Sequence, residues 1–143
     1  MTAAKPQRTV AQKMGIKPGV RAYIAGAPSS AVEAIALPDI DLVECLHGEF
    51  DYIHLFVTTQ KQMREGFGML RDRLRRGGML WVSWPKGHRL GTDLTMKSVI
   101  AIGYSLNMVE STCLRVDEVW AGLKFTRPKP GVSYANSYGT LPG

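Results

Sequence analysis

Apolar residues near the middle of the chain change from strand-like to helix-like spacing and back again. Tyr52–Val57 is a nearly continuous apolar run, typical of a strand covered on both faces of a sheet. In Gln60–Leu74 the apolar residues recur at helical spacing. Gly77-Gly78 then predicts a turn into a further strand, Met79–Ser83. Together they predict a βαβ unit with parallel strands, and hence an α/β sheet.

The same patterns predict the remaining elements. Further strands are expected at Val20–Ala25, Asp41–Leu46, Val109–Val116 and Leu123–Thr126. No crossover separates the last two strands, so we expect an antiparallel pair. Further helices are expected as a short turn at Val10–Met14, from a capping box at Ser30 and Glu33, and from Thr92 or Asp93 to about Asn107. The predicted fold is a three-layer Rossmann-like α/β sheet of about six strands, mostly parallel with a C-terminal antiparallel pair.

A chain of 143 residues is most simply one domain, here placed at residues 10–126. Residues 1–9 are expected to be flexible. Residues 127–143 are rich in Pro, Gly, Ser and Tyr and are expected to form a flexible or docked tail. No apolar run suits a membrane span and the first residues lack a signal-peptide core, so we expect a cytoplasmic protein. Cys45 and Cys113 are expected to be buried free thiols.

The net charge of +6 lies at the ends of the chain. Seven basic residues precede Glu33 or follow Thr126, which leaves eleven basic against twelve acidic residues and a body near −1. Basic ends can raise affinity for polyanions. Solvated ends are the commoner cause, so nucleic acid is not the expected partner.

The order of elements resembles the class I methyltransferase fold, a Rossmann-like sheet that ends in an antiparallel hairpin. Lys17–Arg21 leads into the first strand as in that fold, and Leu74–Leu80 resembles the Leu-x-x-Gly-Gly run before a late strand. The resemblance implies S-adenosylmethionine binding at the end of the first strand. In active members that strand ends in an acidic residue and Gly-x-Gly. This chain has Ala25, then Gly26-Ala27-Pro28.

Most of the chain, roughly residues 10–127, also resembles a small bacterial family catalogued only as a domain of unknown function. The matching segments are Met14–Gly19, His54–Val57, Leu80–Lys86, Thr92–Thr95 and Val116–Phe125. This resemblance implies a shared fold and carries no activity or cofactor with it.

In open α/β sheets a ligand binds beyond the carboxyl ends of the strands, where the strand order reverses. If the first and third strands are neighbours, this crevice lies between residues 26–30 and 58–59. Free N–H groups at the start of the following helix suit an anion there. The alternative is that Ser30 only caps the helix. The residues predicted to bind a small anionic ligand are Gly26, Ala27, Ser29, Ser30, Thr58 and Thr59.

Trp84 and Lys86 follow the fourth strand at the same edge of the sheet. An indole and an ammonium in one loop can stack on a planar ligand and hold an anion, so both complete the predicted site. The alternative is that Trp84 plugs the end of the sheet and Lys86 is solvated.

The other polar residues favour structural roles. His54 is expected to be a buried, hydrogen-bonded histidine, and His47 and His88 lack partners at zinc-ligand spacing. Asp93 is expected to cap a helix, and Glu44 to be a solvated carboxylate although it lies where a ribose-binding acid would. Asp117, Glu118, Trp120 and Lys124 are read as a turn with a carboxylate–lysine pair, or alternatively as a binding lip.

These observations predict no catalytic residue, no metal site and no identified cofactor. The preferred hypothesis is a non-enzymatic or degenerate Rossmann-like protein that binds a small anionic ligand or a protein partner, with a homodimer left open. The alternative is a divergent S-adenosylmethionine-dependent methyltransferase.

Overall fold

The computed structural model describes residues 8–134 and 136–142, in which six strands form one sheet in the order β2-β1-β3-β4-β6-β5. The strands are β1 Arg21–Ala25, β2 Asp41–Leu42, β3 Phe50–Phe56, β4 Leu74–Pro85, β5 Val109–Arg115 and β6 Trp120–Thr126. The helices are α1 Val10–Met14, α2 Ser29–Ile35, α3 Gln60–Arg71 and α4 Met96–Ser105, with a 3₁₀ segment at Lys86–Gly91.

The pairing of the strands confirms the predicted fold class. Strands β1 to β4 are parallel neighbours, while β6 is antiparallel to both β4 and β5. The chain builds outward from β1 to β2 and then returns to place β3 on the other side of β1. The strand order therefore reverses between β1 and β3, and this is the switch point at which a ligand is expected.

Apolar side chains fill both faces of the sheet. On one face Phe67 of α3 and Ile102 of α4 lie in a core with Leu80 of β4. On the other face Met14 of α1 and Ile35 of α2 lie in a second core with Trp81. Successive residues of a strand point to opposite faces, so neighbours in β4 contribute to different cores. The predicted three-layer arrangement is confirmed.

The pair Gly77-Gly78 does not form the predicted turn. Helix α3 ends at Arg71, and Leu74, predicted to be its last residue, is already paired with Phe50 in the sheet. Strand β4 runs through both glycines, with Gly77 at φ +81° and a register shift opposite them. A Cβ on Gly78 would lie 2.9 Å from the Asp51 carbonyl oxygen. The glycines therefore form an irregularity within a long strand.

Two predicted helix starts are wrong. Helix α2 begins after Pro28, whose carbonyl accepts the N–H groups of Ala31 and Val32, so the Ser30–Glu33 capping box does not form. Helix α4 is capped by Thr95, which forms a capping box with Ser98. A local sequence pattern offers several side-chain oxygens that can accept the N–H groups of a helix start, and the backbone path decides which one is used.

Both cysteines are free thiols, as expected, but neither is buried: Cys45 lies beyond β2 and Cys113 in the edge strand β5, and both are exposed. The tail returns to the sheet, where the Asn136 side chain donates to Glu110 at 2.7 Å. No helix of the described residues is long and apolar enough to cross a membrane.

Candidate functional site

A cleft of about 510 Å³ opens at the switch point between β1 and β3. Ala25 and Gly26 form one side of it, and Leu55 to Thr58 form the other. The volume lies within the range of roughly 300–1,000 Å³ that is usual for small-molecule sites. Of the predicted ligand-binding residues, Gly26 and Thr58 line this cleft.

Helix α3 supplies a wall that the sequence analysis did not identify. Gln62, Glu65, Gly66 and Met69 line the cleft, and Met69 is 59% exposed. These residues form a stripe one position away from the buried face of the helix. Met69 is apolar but does not fit the helical spacing of the core positions of α3. This was the sequence signal for an apolar surface outside the buried face of the helix.

Gly26 serves the packing of the sheet as well as the cleft. It has φ +75°, and a Cβ at this position would lie 2.6 Å from the carbonyl oxygen of Phe56. Only glycine permits this conformation and this close approach without strain. The turn after β1 is therefore held against the end of β3.

Thr58 and Thr59 are engaged in the first turn of α3. The Thr58 N–H donates to Gln62 Oε1 at 2.9 Å, and the Thr58 carbonyl accepts from Thr92 Oγ1 at 2.6 Å. Thr59 is the N-cap of α3 and accepts from the Gln62 N–H. Asp93, expected to cap α4, instead accepts the Gln60 N–H at 2.8 Å. These contacts fix the rim of the cleft.

Among the described residues, no side-chain hydrogen bond supports the predicted anion site at Ala27, Ser29 and Ser30. Helix α2 has seven residues and its N-cap, Pro28, provides no side-chain hydrogen bond. Ser29 and Ser30 are exposed. Anion binding there stays a prediction.

Trp84 and Lys86 lie apart from the switch-point cleft. They line a second cavity of about 380 Å³ at the same edge of the sheet. Trp84 is 3% exposed and belongs to the core, in agreement with the alternative that it plugs the end of the sheet. The residues predicted to form one site are thus distributed over two cavities and the solvent-exposed start of α2.

The Lys86 ammonium lies in a positive field. Partial desolvation lowers its pKa below the usual lysine range, and the nearby Arg115 and Arg89 lower it further. Asp117 and Glu118 act in the opposite direction and only partly compensate. Lys86 therefore carries a charge that an anion would stabilise.

His54 is buried between two hydrogen-bonding partners, as predicted. The Tyr52 hydroxyl lies 2.6 Å from Nδ1, and the Ser83 hydroxyl lies 2.7 Å from Nε2. All three residues are 0% exposed. Burial lowers the pKa of His54 from 6.5 to about 3 and raises that of Tyr52, so both stay neutral at physiological pH. The group lies inside the sheet and lines neither cavity.

The last turn has a structural carboxylate. Asp117 Oδ1 accepts the N–H groups of Val119 and Trp120, each at 2.8 Å. The expected carboxylate–lysine pair with Lys124 is not among the ion pairs of the described residues. Trp120 lines the switch-point cleft and packs edge to face against Phe56, with the two ring centroids 5.2 Å apart.

Within residues 8–134 and 136–142, no three His, Cys, Asp or Glu side chains are close enough together to hold a metal ion. Glu44 is exposed just beyond β2, at the carboxyl edge of the sheet. It is the carboxylate that the methyltransferase resemblance would place near a ribose.

Several solved structures that resemble this chain are methyltransferases. A ribosomal protein L11 methylase from Lactobacillus delbrueckii subsp. bulgaricus is 14% identical with a TM-score of 0.57, over 84% of this chain and 75% of that one. A precorrin-6y C5,15-methyltransferase from Geobacter metallireducens is 12% identical with a TM-score of 0.55, over 83% of this chain and 86% of that one. The chain therefore has a Rossmann-like α/β fold with a methyltransferase-like topology.

The magnesium protoporphyrin IX methyltransferase from Synechocystis, solved with bound S-adenosylhomocysteine, is 14% identical with a TM-score of 0.56. That match covers 83% of this chain and 80% of the enzyme. No protein-family model and no curated protein matches the sequence. The resemblance to a bacterial family of unknown function is therefore without support.

Proposed function

We propose that this protein binds S-adenosylmethionine, or a closely related adenosyl compound, in the switch-point cleft and belongs functionally with the methyltransferases. The observation that carries the proposal is an open cleft of about 510 Å³ between β1 and β3 in a methyltransferase-like sheet. This is where open α/β sheets bind their ligands.

The residues at this edge fit such a ligand in position and size. Gly26 forms a left-handed turn at the end of β1, and Glu44 follows β2 where it could accept hydrogen bonds from a ribose. Ala25 occupies the position at the end of β1 where active methyltransferases have an acidic residue. On the other side of the cleft, Glu65 of α3 provides a carboxylate. Glu65 lies 3.9 Å from Lys61 with both side chains largely exposed, so this pair is weak and leaves the carboxylate accessible.

The side chains of α3 and β6 would orient the ligand. The Gln62 amide oxygen accepts hydrogen bonds from Thr58. The Gln62 amide nitrogen therefore points away from Thr58. Trp120 and Met69 provide apolar surface that a bound ligand would cover. When bound, S-adenosylmethionine supplies an electrophilic methyl group on a sulfonium.

A pair of glycines on α3 offers a matched test. A Cβ on Gly66 would make ordinary contacts of 3.5 Å with Leu55 inside the cleft, whereas a Cβ on Gly68 would meet nothing within 4 Å. Gly66→Leu fills the cleft, and Gly68→Leu makes the same change of residue outside it. Calorimetry with S-adenosylmethionine and S-adenosylhomocysteine should show at least about tenfold weaker binding for Gly66→Leu, which is about 1.4 kcal/mol, and unchanged binding for Gly68→Leu.

Absence of heat with both compounds for the unmodified protein would refute the proposal. Equal losses in the two glycine variants would place the ligand outside the cleft. Circular dichroism of each variant shows that the helix is retained.

The second candidate is a degenerate relative that binds a small anionic ligand or a protein partner without transferring a methyl group. It is favoured by the sequence at the end of β1, where Ala25 stands in place of an acidic residue. The single glycine of this turn, Gly26, is packed closely against the Phe56 carbonyl. Incubation with methyl-tritiated S-adenosylmethionine and cell extract, fractionated into protein, RNA and small molecules, separates the two. Cofactor binding without label in any fraction supports the degenerate relative.

A further inference from the structure

The second cavity has walls from five elements, the 3₁₀ segment Lys86–Gly91 among them, and most of its lining is apolar. Trp84 closes it at the end of β4, and Leu94 and Met96 bound it at the start of α4. Leu114 of β5 and Ala121 of β6 form the opposite wall. At about 380 Å³ it is large enough for a small organic molecule.

This cavity is separate from the switch-point cleft. Trp120 and Ala121 are neighbours in β6, and their side chains lie on opposite faces of the sheet. Trp120 lines the cleft and Ala121 lines the second cavity. A molecule in one cavity therefore leaves the other open.

The charges at the rim favour an anionic group. Lys86 lines the cavity, and none of the described residues that line it carries a carboxylate. In the described part of the chain Lys86 takes part in no ion pair within 4.0 Å. Arg115 and Arg89 add positive potential from nearby, while Asp117 and Glu118 oppose it. The Asp117 carboxylate is held by the backbone of its own turn and forms no ion pair with Lys86 among the described residues, so it offsets the positive field only in part.

We propose that the second cavity binds a small amphipathic acid, with its apolar body against Trp84 and Leu94 and its carboxylate at the Lys86 ammonium. The apolar walls supply most of the affinity through burial of hydrocarbon surface. The single cation selects a ligand with one negative head group over its neutral analogue. This inference is independent of what the switch-point cleft binds.

The two cysteines provide a probe and its internal control. Cys113 lines the cavity, and Cys45 lies beyond β2. Both are free and exposed, so a neutral alkylating reagent such as iodoacetamide can reach them. Partial burial raises the pKa of the Cys113 thiol, so labelling is done at mildly alkaline pH. Straight-chain carboxylates from butyrate to decanoate, kept below their micellar range, should slow alkylation of Cys113 and leave Cys45 unchanged.

The contribution of the charge is tested with Lys86→Gln and the matched control Lys61→Gln on the exposed side of α3. Loss of one rim cation should weaken protection by the carboxylates about threefold to fivefold, as for partly exposed ion pairs. Primary amides of the same chain lengths should protect Cys113 less than the acids, and equally in both variants. Mass spectrometry of the two cysteine peptides measures the rates.

Failure of every chain length to protect Cys113, or equal slowing of both cysteines, would overturn the proposal. Equal protection by acids and amides, with no effect of Lys86→Gln, would overturn the assignment of the anionic head group.

Discussion

The buried histidine gives the protein a pH dependence that can be calculated. His54 has a pKa of about 3 in the folded state and 6.5 in the unfolded chain. Between these values the unfolded chain binds the proton and the folded protein does not. The free energy of unfolding therefore falls as the pH is lowered below 6.5, and this loss is complete only near pH 3.

The expected size follows from the difference in pKa. A pH of about 5 is about 1.5 units below the pKa of the histidine in the unfolded chain. The free energy of unfolding is therefore lowered by about 2 kcal/mol, at about 1.36 kcal/mol per pH unit. Asp51 accepts hydrogen bonds from the Arg21 N–H and from Arg75, and this contact is the same in every variant compared below. A comparison of variants therefore isolates the histidine.

Urea unfolding at about pH 7 and pH 5 measures the effect. Between these two pH values, the free energy of unfolding should fall by about 2 kcal/mol more in the unmodified protein and in the exposed-loop control His47→Gln than in His54→Gln. The His54→Gln variant has no imidazole at position 54 to titrate. If His54→Gln does not fold, the Hε1 resonance of His54 in the unmodified protein should stay constant down to about pH 4. A titration midpoint near 6.5, or the same loss in all three proteins, would refute the argument.

The remaining predictions concern the helices. Gly68→Ala should raise the free energy of unfolding by up to about 1 kcal/mol, because its Cβ meets nothing within 4 Å; unchanged or lower stability in urea would contradict this. Gly103→Ala should lower it by about 1–3 kcal/mol, because its Cβ would lie 2.1 Å from the Phe125 ring; a thermal midpoint equal to the parent would count against that packing. Thr95→Ala should cost about 1 kcal/mol and speed amide exchange at Ser98, since Thr95 accepts that N–H; no change in exchange would place the cap elsewhere.

The architecture could be predicted because it depends on long patterns. The apolar run of β3 and the periodic positions of α3 each repeat over several residues, so single exceptions do not alter the outcome. Local turn signals, such as a pair of glycines, were less informative. Gly77-Gly78 has the composition of a turn, yet Leu74 is buried and paired with Phe50 before the glycines are reached. Only the pairing with β3 shows that the chain continues in the same strand through the irregularity.

The position of the cleft could be predicted, but most of its lining could not. Gly26 and Thr58 follow strands that proved to be neighbours, so both line the cleft at the switch point, and ligand binding by them stays a prediction. Gln62 and Gly66 come from the exposed side of α3, and their approach to β1 depends on how that helix packs. Asp93 contacts Gln60 from 33 residues away, a contact that no local spacing encodes.

The most direct test of the central claim is a titration of ¹⁵N-labelled protein with S-adenosylhomocysteine, followed by the backbone amide resonances. The account predicts saturable shifts at Gly26, Thr58 and Gly66, which surround the switch-point cleft, and none at Cys113 in the second cavity. Shifts confined to the second cavity, or a spectrum unchanged at saturating ligand, would contradict an adenosyl site between β1 and β3.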